Sequence, residues 1–546
     1  MIAGLAGLIA ALVAVLVLER FVKPWRRGKP ILRKVGLLAA MPLILFYVSI
    51  LMMTYRPIFS AGFVIIFFLG IVVVNNAKMR ELREPLVYSD FALLRQAIAH
   101  PSLYVTYIGP WKVAGVLTAG TAAIVGGLAF EPPILKRAEA VEWVPTLAYC
   151  LVFFGAIYAI TKGPLRNEFR QILKDFGPST DVRADVDKLS LVTTLIFYFF
   201  LAGESDEASA FSQKNENEDR ARPFGHNARP PVVVVQSESF FNASRIMDAP
   251  PAGFLKHFNR MVGEARYSGR LRVPAWGANT LRTEFAFLSG IPDEAMGVDR
   301  FNPYLGYCAK SIWTIASYLR SIGYRTVCIH PFHKSFFRRD KAYPHLGFDE
   351  FVDIASFSDA DKVGPYVSDA AVSAKIEALL KGSPQPVFVF AITMENHGPW
   401  AKPRIQVPET IRAAAPVKSK AMLQYLSHIQ NADRMIGHLR KVFGEIKGDA
   451  IFCFYGDHLP SLPKAFRTIG LDDPRTDYFI WQKRARSAKR PVNVNVSADA
   501  LNRLLLEAVT VALTKIDAPT PATEASGAPH ISGDPAAVEK RAGEAR

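Results

Sequence analysis

The sequence predicts a helical membrane domain followed by an α/β domain built on a mostly parallel sheet. Three observations carry this expectation. Long uncharged apolar runs crowd the first third of the 546 residues, four short β-branched runs alternate with helical stretches beyond residue 231, and each of those runs ends in polar residues with chemical capability.

Half of the residues are apolar, and the excess is concentrated near the N-terminus. Residues 2–18, 36–53, 58–74, 113–130 and 144–160 are uncharged runs of about 17 or more residues, long enough to cross a bilayer as helices. Five spans are therefore expected in a membrane domain of residues 1–203. A sixth run, 189–202, is shorter and ends in Phe197, Tyr198, Phe199 and Phe200, so it either spans or lies in the interface. The first run has no basic residue before it and no small-x-small cleavage site after it, so it reads as a span and not as a signal peptide. Arg20, Lys23, Arg26, Arg27, Lys29, Arg33 and Lys34 crowd the loop that follows, and the positive-inside rule assigns that loop to the cytoplasm. Six spans then put the C-terminal domain outside. Five spans with a cytoplasmic N-terminus do the same, at the cost of placing this basic loop on the wrong side.

The connector from Asn75 to Trp111 reads as surface-lying helices without evident chemistry. Residues 204–230 are polar and end in a proline pair, the pattern of a linker. Residues 516–546, rich in Pro, Ala, Gly, Ser and charge, read as a disordered tail. The net charge of +16 is dispersed and partly explained by membrane flanks. With no aromatic-interleaved basic stripe, no nucleic-acid partner is expected. Four cysteines, one of them (Cys150) inside a span, make no disulfide scaffold. Cys308 and Cys328 are either a pair or two free thiols.

From 231 to 515 the runs 232–236, 326–330, 387–392 and 450–455 read as buried central strands of a sheet covered on both faces. Ligands gather at the carboxyl ends of such strands. There the chain presents Glu238, His330, His397 and the Asp457-His458 pair. Each has an ordinary account taken singly, as a solvated helix-start charge, a satisfied core histidine or a turn. Placed together at strand ends they point to a site, and mixed carboxylate and imidazole donors suit a divalent transition metal such as manganese or zinc. Between the first two strands, Gly277, Ala278 and Asn279 form a small-residue turn before a helical run. Thr280 opens that run, where free N–H groups and the helix dipole favour an anion such as phosphate. Taken alone, Thr280 reads more readily as a helix cap, with Glu284 completing a capping arrangement.

The set of segments ESF (238–240), GANTLRTEF (277–285), HPFHKSFFRRDKAYPHLGFDEF (330–351), NHGPW (396–400) and YGDH (455–458) resembles the lipoteichoic acid synthase and phosphoglycerol transferase branch of the alkaline phosphatase and sulfatase superfamily. The resemblance covers most of residues 231–460, in family order. It implies that Glu238, Thr280, Asp457 and His458 bind one divalent cation, manganese first with magnesium or zinc as alternatives, and that Thr280 is also the nucleophile. It further implies that His330, Arg339 and His397 hold the phosphate and its glycerol, with Phe337 in the contacting wall where the family has tryptophan. Five spans and a catalytic domain facing away from the cytoplasm are usual in that family. A metal bound to the hydroxyl lowers its pKa, and an arginine fork suits phosphate oxygens.

Thr283, Ser237 and Ser239 are the competing hydroxyls. Strand-like alternation would aim only one of Arg338 and Arg339 inward, and Glu395 adds negative charge near the rim. The implied reaction moves glycerophosphate from phosphatidylglycerol to a hydroxyl of an envelope glycan or polymer, at the membrane surface. Phosphoethanolamine transfer and an inactive glycan-binding relative are the alternatives. Thr280 is followed by Leu281-Arg282, unlike the C/S-x-P-x-R sequence that sulfatase maturation needs, which argues against a sulfatase.

Overall fold

The computed structural model describes residues 2–24, 33–101, 105–135, 143–203, 206–220, 229–307, 311–400, 402–483 and 492–514. Most of the basic loop after the first helix, Cys308 and the segment 516–546 lie outside the described residues. Cys328 is buried as a free thiol.

All five apolar runs are helical: Ile2–Glu19, Arg33–Thr54, Pro57–Leu82, Pro110–Phe130 and Val144–Thr161. Four of them are long and apolar enough to cross a membrane, and the second contributes the shorter apolar stretch Ala40–Thr54. Leu5, Leu117, Leu151 and Phe154 point outward with most of their surface uncovered, as side chains facing lipid do. The chain is thus a multi-pass membrane protein. The helix Leu191–Leu201 has 11 residues, about 16 Å of length against a hydrocarbon core of about 30 Å. It packs among the membrane helices and the connector, and Tyr198 stacks on Phe301 of the soluble domain at 5.6 Å.

The soluble domain is built on β1 (Val232–Ser237), β2 (Tyr267–Arg272), β3 (Arg325–Ile329), β4 (Glu350–Val352), the small hairpin β5 (Lys362–Val363) and β6 (Tyr366–Val367), β7 (Val387–Ile392), β8 (Ala450–Gly456), β9 (Thr476–Lys483), β10 (Val492–Asn493) and β11 (Val496–Ser497). The large sheet runs β10-β2-β9-β8-β1-β7-β3-β4, with β11 beside β2. The four strands expected from sequence stand side by side at its centre, all parallel. Only β9 runs against its neighbours.

Both faces of this sheet are covered, which is why β1 reads VVVV and not as an alternating strand. Val232 and Val234 pack into one core with Leu281, Phe285 and Leu505. Val233 and Val235 pack into the other with Met435 and Leu439. Register then places the chemistry. Ser237 of β1 is level with Gly456 of β8, Gln236 with Ile392 of β7, and Ile329 of β3 with Ala391. The next residues, Glu238, Asp457, Thr393 and His330, therefore emerge along one edge of the sheet.

One expectation changes here. Within the polar segment read as a linker, Asp206–Arg220 is a helix. Ala208 is fully buried in the sheet's first core and the Asn215 side-chain amide donates to the Ser289 carbonyl at 3.1 Å. Asp219 is also buried and Phe211 packs against the same core, so one inward stripe docks a helix that composition reads as solvated.

Candidate active site

The turn before Thr280 is forced by its surroundings. Gly277 has φ +74°, and a β-carbon there would lie 2.9 Å from the Glu81 carbonyl oxygen, so backbone meets backbone at this point. Asn279 is also left-handed, at φ +66°, a conformation asparagine tolerates better than most residues. The helix Thr280–Ser289 follows with Asn279, not Thr280, in the cap position and no side-chain cap bond. The Thr280 hydroxyl is thus not consumed as a cap. It lies 3.4 Å from His458 Nε2. Its nearest competitor is withdrawn: Thr283 is fully buried and donates its hydroxyl to the Asp457 carbonyl at 2.7 Å.

Glu238, Asp457 and His458 are all buried, and each offers a ligand atom within 4.8 Å of the others. The His458 Nδ1–H donates to the Leu459 carbonyl at 2.9 Å, which leaves the Nε2 lone pair facing the carboxylates. Asp457 Oδ1 accepts from the backbone N–H groups of Ser239 and His458, both at 2.8 Å. Its other oxygen, Oδ2, is buried and has no hydrogen-bond partner among the described residues. Burial, and then the charge of Asp457, push the Glu238 carboxyl up to about 8. Two desolvated carboxylates with one orphaned oxygen, an imidazole and a hydroxyl form a site short of positive charge. The donor set fits a divalent cation.

Of the residues expected to hold the phosphate, His330 and Arg339 are brought together, with Arg339 engaged by Glu284. Arg339 is buried while Arg338 is exposed, so one of the pair is chosen, but by a helical turn (Arg339–Ala342) and not by strand alternation. Phe337 and Arg338 both have positive φ, 56° and 59°, a strained pair for side-chain-bearing residues. The guanidinium fork of Arg339, expected to be open to phosphate, closes on Glu284: Nε donates to Oε1 at 3.0 Å and Nη2 to Oε2 at 2.7 Å. Nη1 lies 3.2 Å from His330 Nε2, whose Nδ1 is 3.3 Å from the Ile392 carbonyl. The Phe337 ring sits 5.2 Å from the Arg339 guanidinium carbon.

Glu284, read as support for the helix start, is instead the fully buried hub of this cluster and also accepts from the Tyr304 and Tyr343 hydroxyls. Nothing in its local sequence distinguishes it. Burial, and then Arg339, hold the His330 imidazole well below its usual pKa, so it is neutral.

His397 stands across the site. Its Nδ1 is 2.6 Å from the Gly398 carbonyl and 3.2 Å from the Tyr366 hydroxyl, and burial lowers its pKa. Arg404 donates to the His397 and Pro399 carbonyls and fixes this loop. Glu395 does not reach the rim. It is buried and turned inward, accepting from His428 Nδ1 at 3.0 Å and from the Asp369 N–H at 2.8 Å.

The membrane part completes the site, which the sequence did not reveal. Glu81 accepts from the Ser461 hydroxyl at 2.8 Å, Arg83 lies 3.5 Å over the Trp276 ring, and Glu84 pairs with Arg282 at 2.7 Å. Tyr107, on the connector, brings its hydroxyl so close to Gly398 that any β-carbon there would clash with it. Glu238, Thr280, His330, Phe337, Arg339, His397 and His458 all line one cavity of about 880 Å³, whose wall is shared by other residues of the soluble domain, the connector and the membrane helices.

The chain is similar to several known proteins. The sulfatase family model matches residues 230–510. A capsular polysaccharide biosynthesis protein, RkpI, from Rhizobium meliloti is 30% identical over 481 residues, 85% of this chain and 86% of that protein. A putative cyclic beta-1,2-glucan modification protein from the same organism is 25% identical, covering 73% of this chain and 62% of its own length. Among solved structures, the lipoteichoic acid synthase LtaP from Listeria monocytogenes aligns with 56% of this chain and 78% of its own, at 20% identity and a TM-score of 0.43.

A polytopic helical domain joined to an α/β domain, with a hydroxyl, carboxylate and imidazole cluster at its strand ends, defines a membrane-bound member of the alkaline phosphatase and sulfatase superfamily. The chain belongs to the sulfatase family, and its relatives include lipoteichoic acid synthases.

Proposed function

We propose that this protein is a membrane-anchored phosphoglycerol transferase. It moves the glycerophosphate head of phosphatidylglycerol to a hydroxyl of an envelope glycan or polymer, with Thr280 carrying the group between the two substrates. One observation carries the reading: the Thr280 hydroxyl, 3.4 Å from His458 Nε2, opens into a cavity that it shares with apolar membrane helices. A nucleophile so placed suits a substrate with a phosphodiester at one end and hydrocarbon at the other.

In the first half-reaction the Thr280 oxygen attacks phosphorus, a P–O bond to threonine forms, and the P–O bond to diacylglycerol breaks. His397 is neutral, with Nδ1 committed to the Gly398 carbonyl, and so keeps Nε2 for proton exchange. It takes the threonine proton and returns it to the departing glyceride oxygen. In the second half-reaction it takes the proton of the acceptor hydroxyl as the acceptor oxygen bonds to phosphorus, the P–O bond to threonine breaks, and the proton passes to the Thr280 oxygen. Glu238, Asp457, His458 and the Thr280 oxygen are the groups that would hold a divalent cation, manganese before magnesium or zinc. Such an ion lowers the pKa of the hydroxyl and screens its repulsion from the phosphodiester.

His330, held by Arg339, forms the wall against the head group with Phe337. Relatives named for capsular polysaccharide and cyclic glucan favour a glycan acceptor. The reaction belongs on the outer face of the cell (inner) membrane, with the catalytic domain facing the periplasm or cell exterior, where such glycans are modified.

The test is release of labelled diacylglycerol from phosphatidylglycerol by the detergent-purified protein with Mn²⁺, with its loss in Thr280→Ala at unchanged melting temperature. Release from phosphatidylethanolamine alone would transfer the reading to phosphoethanolamine chemistry. Binding of glycan without turnover of either lipid would make the protein an inactive relative.

A further inference from the structure

The cavity that holds Thr280 extends well beyond the space a head group needs. Along the helix Pro57–Leu82 its wall runs from Glu81, beside the nucleophile turn, to Phe63. Eighteen residues at 1.5 Å each give about 27 Å, close to the thickness of a bilayer's hydrocarbon core. On the facing helix Pro110–Phe130 the wall runs from Lys112 to Ile124. The lining changes character along this path. Charged and imidazole side chains surround Thr280, whereas Phe63, Ile66, Phe67, Val116, Leu117 and Ile124 form the far end. The volume of about 880 Å³ falls in the upper part of the range for small-molecule sites, which are concave, mostly apolar and marked by a few polar groups at one place.

Two glycines keep the groove open. A β-carbon on Gly120 would meet Ile66 at 3.8 Å and one on Gly70 would meet Val116 at 3.7 Å, ordinary contact distances. Alanine therefore fits at either position, and a large side chain would fill the channel between the helices.

We infer that this groove binds an acyl chain of the donor glycerophospholipid while its phosphate lies at Thr280. The inference rests on the lipid-donor reading above and adds where the hydrocarbon goes: into a cleft of the protein's own membrane helices and not simply into bulk lipid. Continuity with the nucleophile selects the donor over any lipid bound elsewhere on the helices. A molecule with its reacting phosphodiester at Thr280 has its tail directed along this wall. The groove also sets a length, since a tail reaching from Thr280 to Phe63 fills it and a very short one leaves the far end unoccupied.

The test uses phosphatidylglycerol with a diazirine near the end of one acyl chain, photolysed with the full-length protein in nanodiscs and followed by peptide mapping. The Thr280→Ala background prevents turnover, so the readout does not depend on catalysis. Labelling is expected on 63–67 and 116–124 well above that on the outward-facing helix Val144–Thr161. It should survive Gly120→Ala and fall roughly tenfold in Gly120→Phe, a change worth about one decade in occupancy. Ile66→Trp, which fills the same channel from the opposite wall, gives the same answer if Gly120→Phe fails to fold.

Equal labelling of every lipid-facing helix, or labelling unchanged by both filling variants, overturns the groove. Failure of the donor reading itself shows separately, as absence of Thr280-dependent diacylglycerol release in the wild-type protein.

Discussion

Two glutamates of the soluble domain are equally removed from water, yet they live in opposite electrostatic circumstances. Glu284 is met by the Nε–Nη2 edge of the Arg339 guanidinium and by two tyrosine hydroxyls. Glu238 is met by one serine hydroxyl at 2.8 Å and faces Asp457, a second carboxylate, with an orphaned oxygen beside it. A charge matched on all sides is structural, because nothing further has to bind for it to stay buried. A pair of unmatched carboxylates is a standing demand for a cation. The difference separates scaffold from chemistry without reference to any relative, and it assigns Arg339 mainly to the scaffold.

Exchanging each carboxylate for its amide tests that separation. Glu238→Gln should lower turnover of phosphatidylglycerol on the order of 10²–10³-fold, as loss of a group that acts on developing charge does. It should also abolish the rise in melting temperature expected when Mn²⁺ is added to the wild-type protein, and it should cost the metal-free protein little stability because a carboxyl pushed up to about 8 is already largely protonated at neutral pH and the amide resembles that form.

Glu284→Gln should act the other way. It leaves Arg339 buried without its counter-charge, so unfolding of the soluble part in denaturant should lose about 3–5 kcal/mol, while the response to Mn²⁺ persists in the protein that remains folded. A Glu238 variant that unfolds, or a Glu284 variant that is stable but metal-blind, would erase the distinction.

A third carboxylate extends the comparison to the contact between membrane helix and nucleophile helix. Glu84 is half-buried against Lys78 and Arg282, with Asp90 and Asp293 on the far sides of those cations. Burial opposes its ionisation, but the charges of Lys78 and Arg282 prevail and hold it down to about 2. A depressed folded pKa means that its contribution is complete above the ordinary glutamate range near 4.5 and fades as pH falls toward 2. The stability difference between wild type and Glu84→Gln should therefore be constant from neutral pH to about 5 and shrink below that, read as paired melting curves across pH. The effect is the smallest of the three, since the amide keeps part of the hydrogen bonding.

Much of this was legible in the sequence because the signals are local. A run such as VVVVQ or VFVFAI declares a central strand by composition, and the residue after it falls at the sheet edge by geometry alone. Glu238, His330, Asp457 and His458 were found in that way, and Thr280 by the turn before it. What stayed hidden depends on distant partners. Glu284 and Arg339 are 55 residues apart, and Glu84 and Arg282 are 198 apart; neither pairing leaves a local mark. The connector looked featureless because Glu81, Glu84 and Tyr107 gain meaning only when the nucleophile turn and the Gly398 loop fold against them. Glu395 was misplaced for the same reason: its sequence position lies beside the rim, but His428 draws the side chain inward.

The most direct measurement of the central claim is peptide mass spectrometry of the wild-type protein mixed with phosphatidylglycerol and Mn²⁺ in the absence of any acceptor. A single glycerophosphate adduct on the peptide carrying Thr280, absent from Thr280→Ala and discharged when a glycan acceptor is added, is the predicted result. An adduct on another hydroxyl such as Thr283, or diacylglycerol release with no covalent adduct at any time, would contradict it.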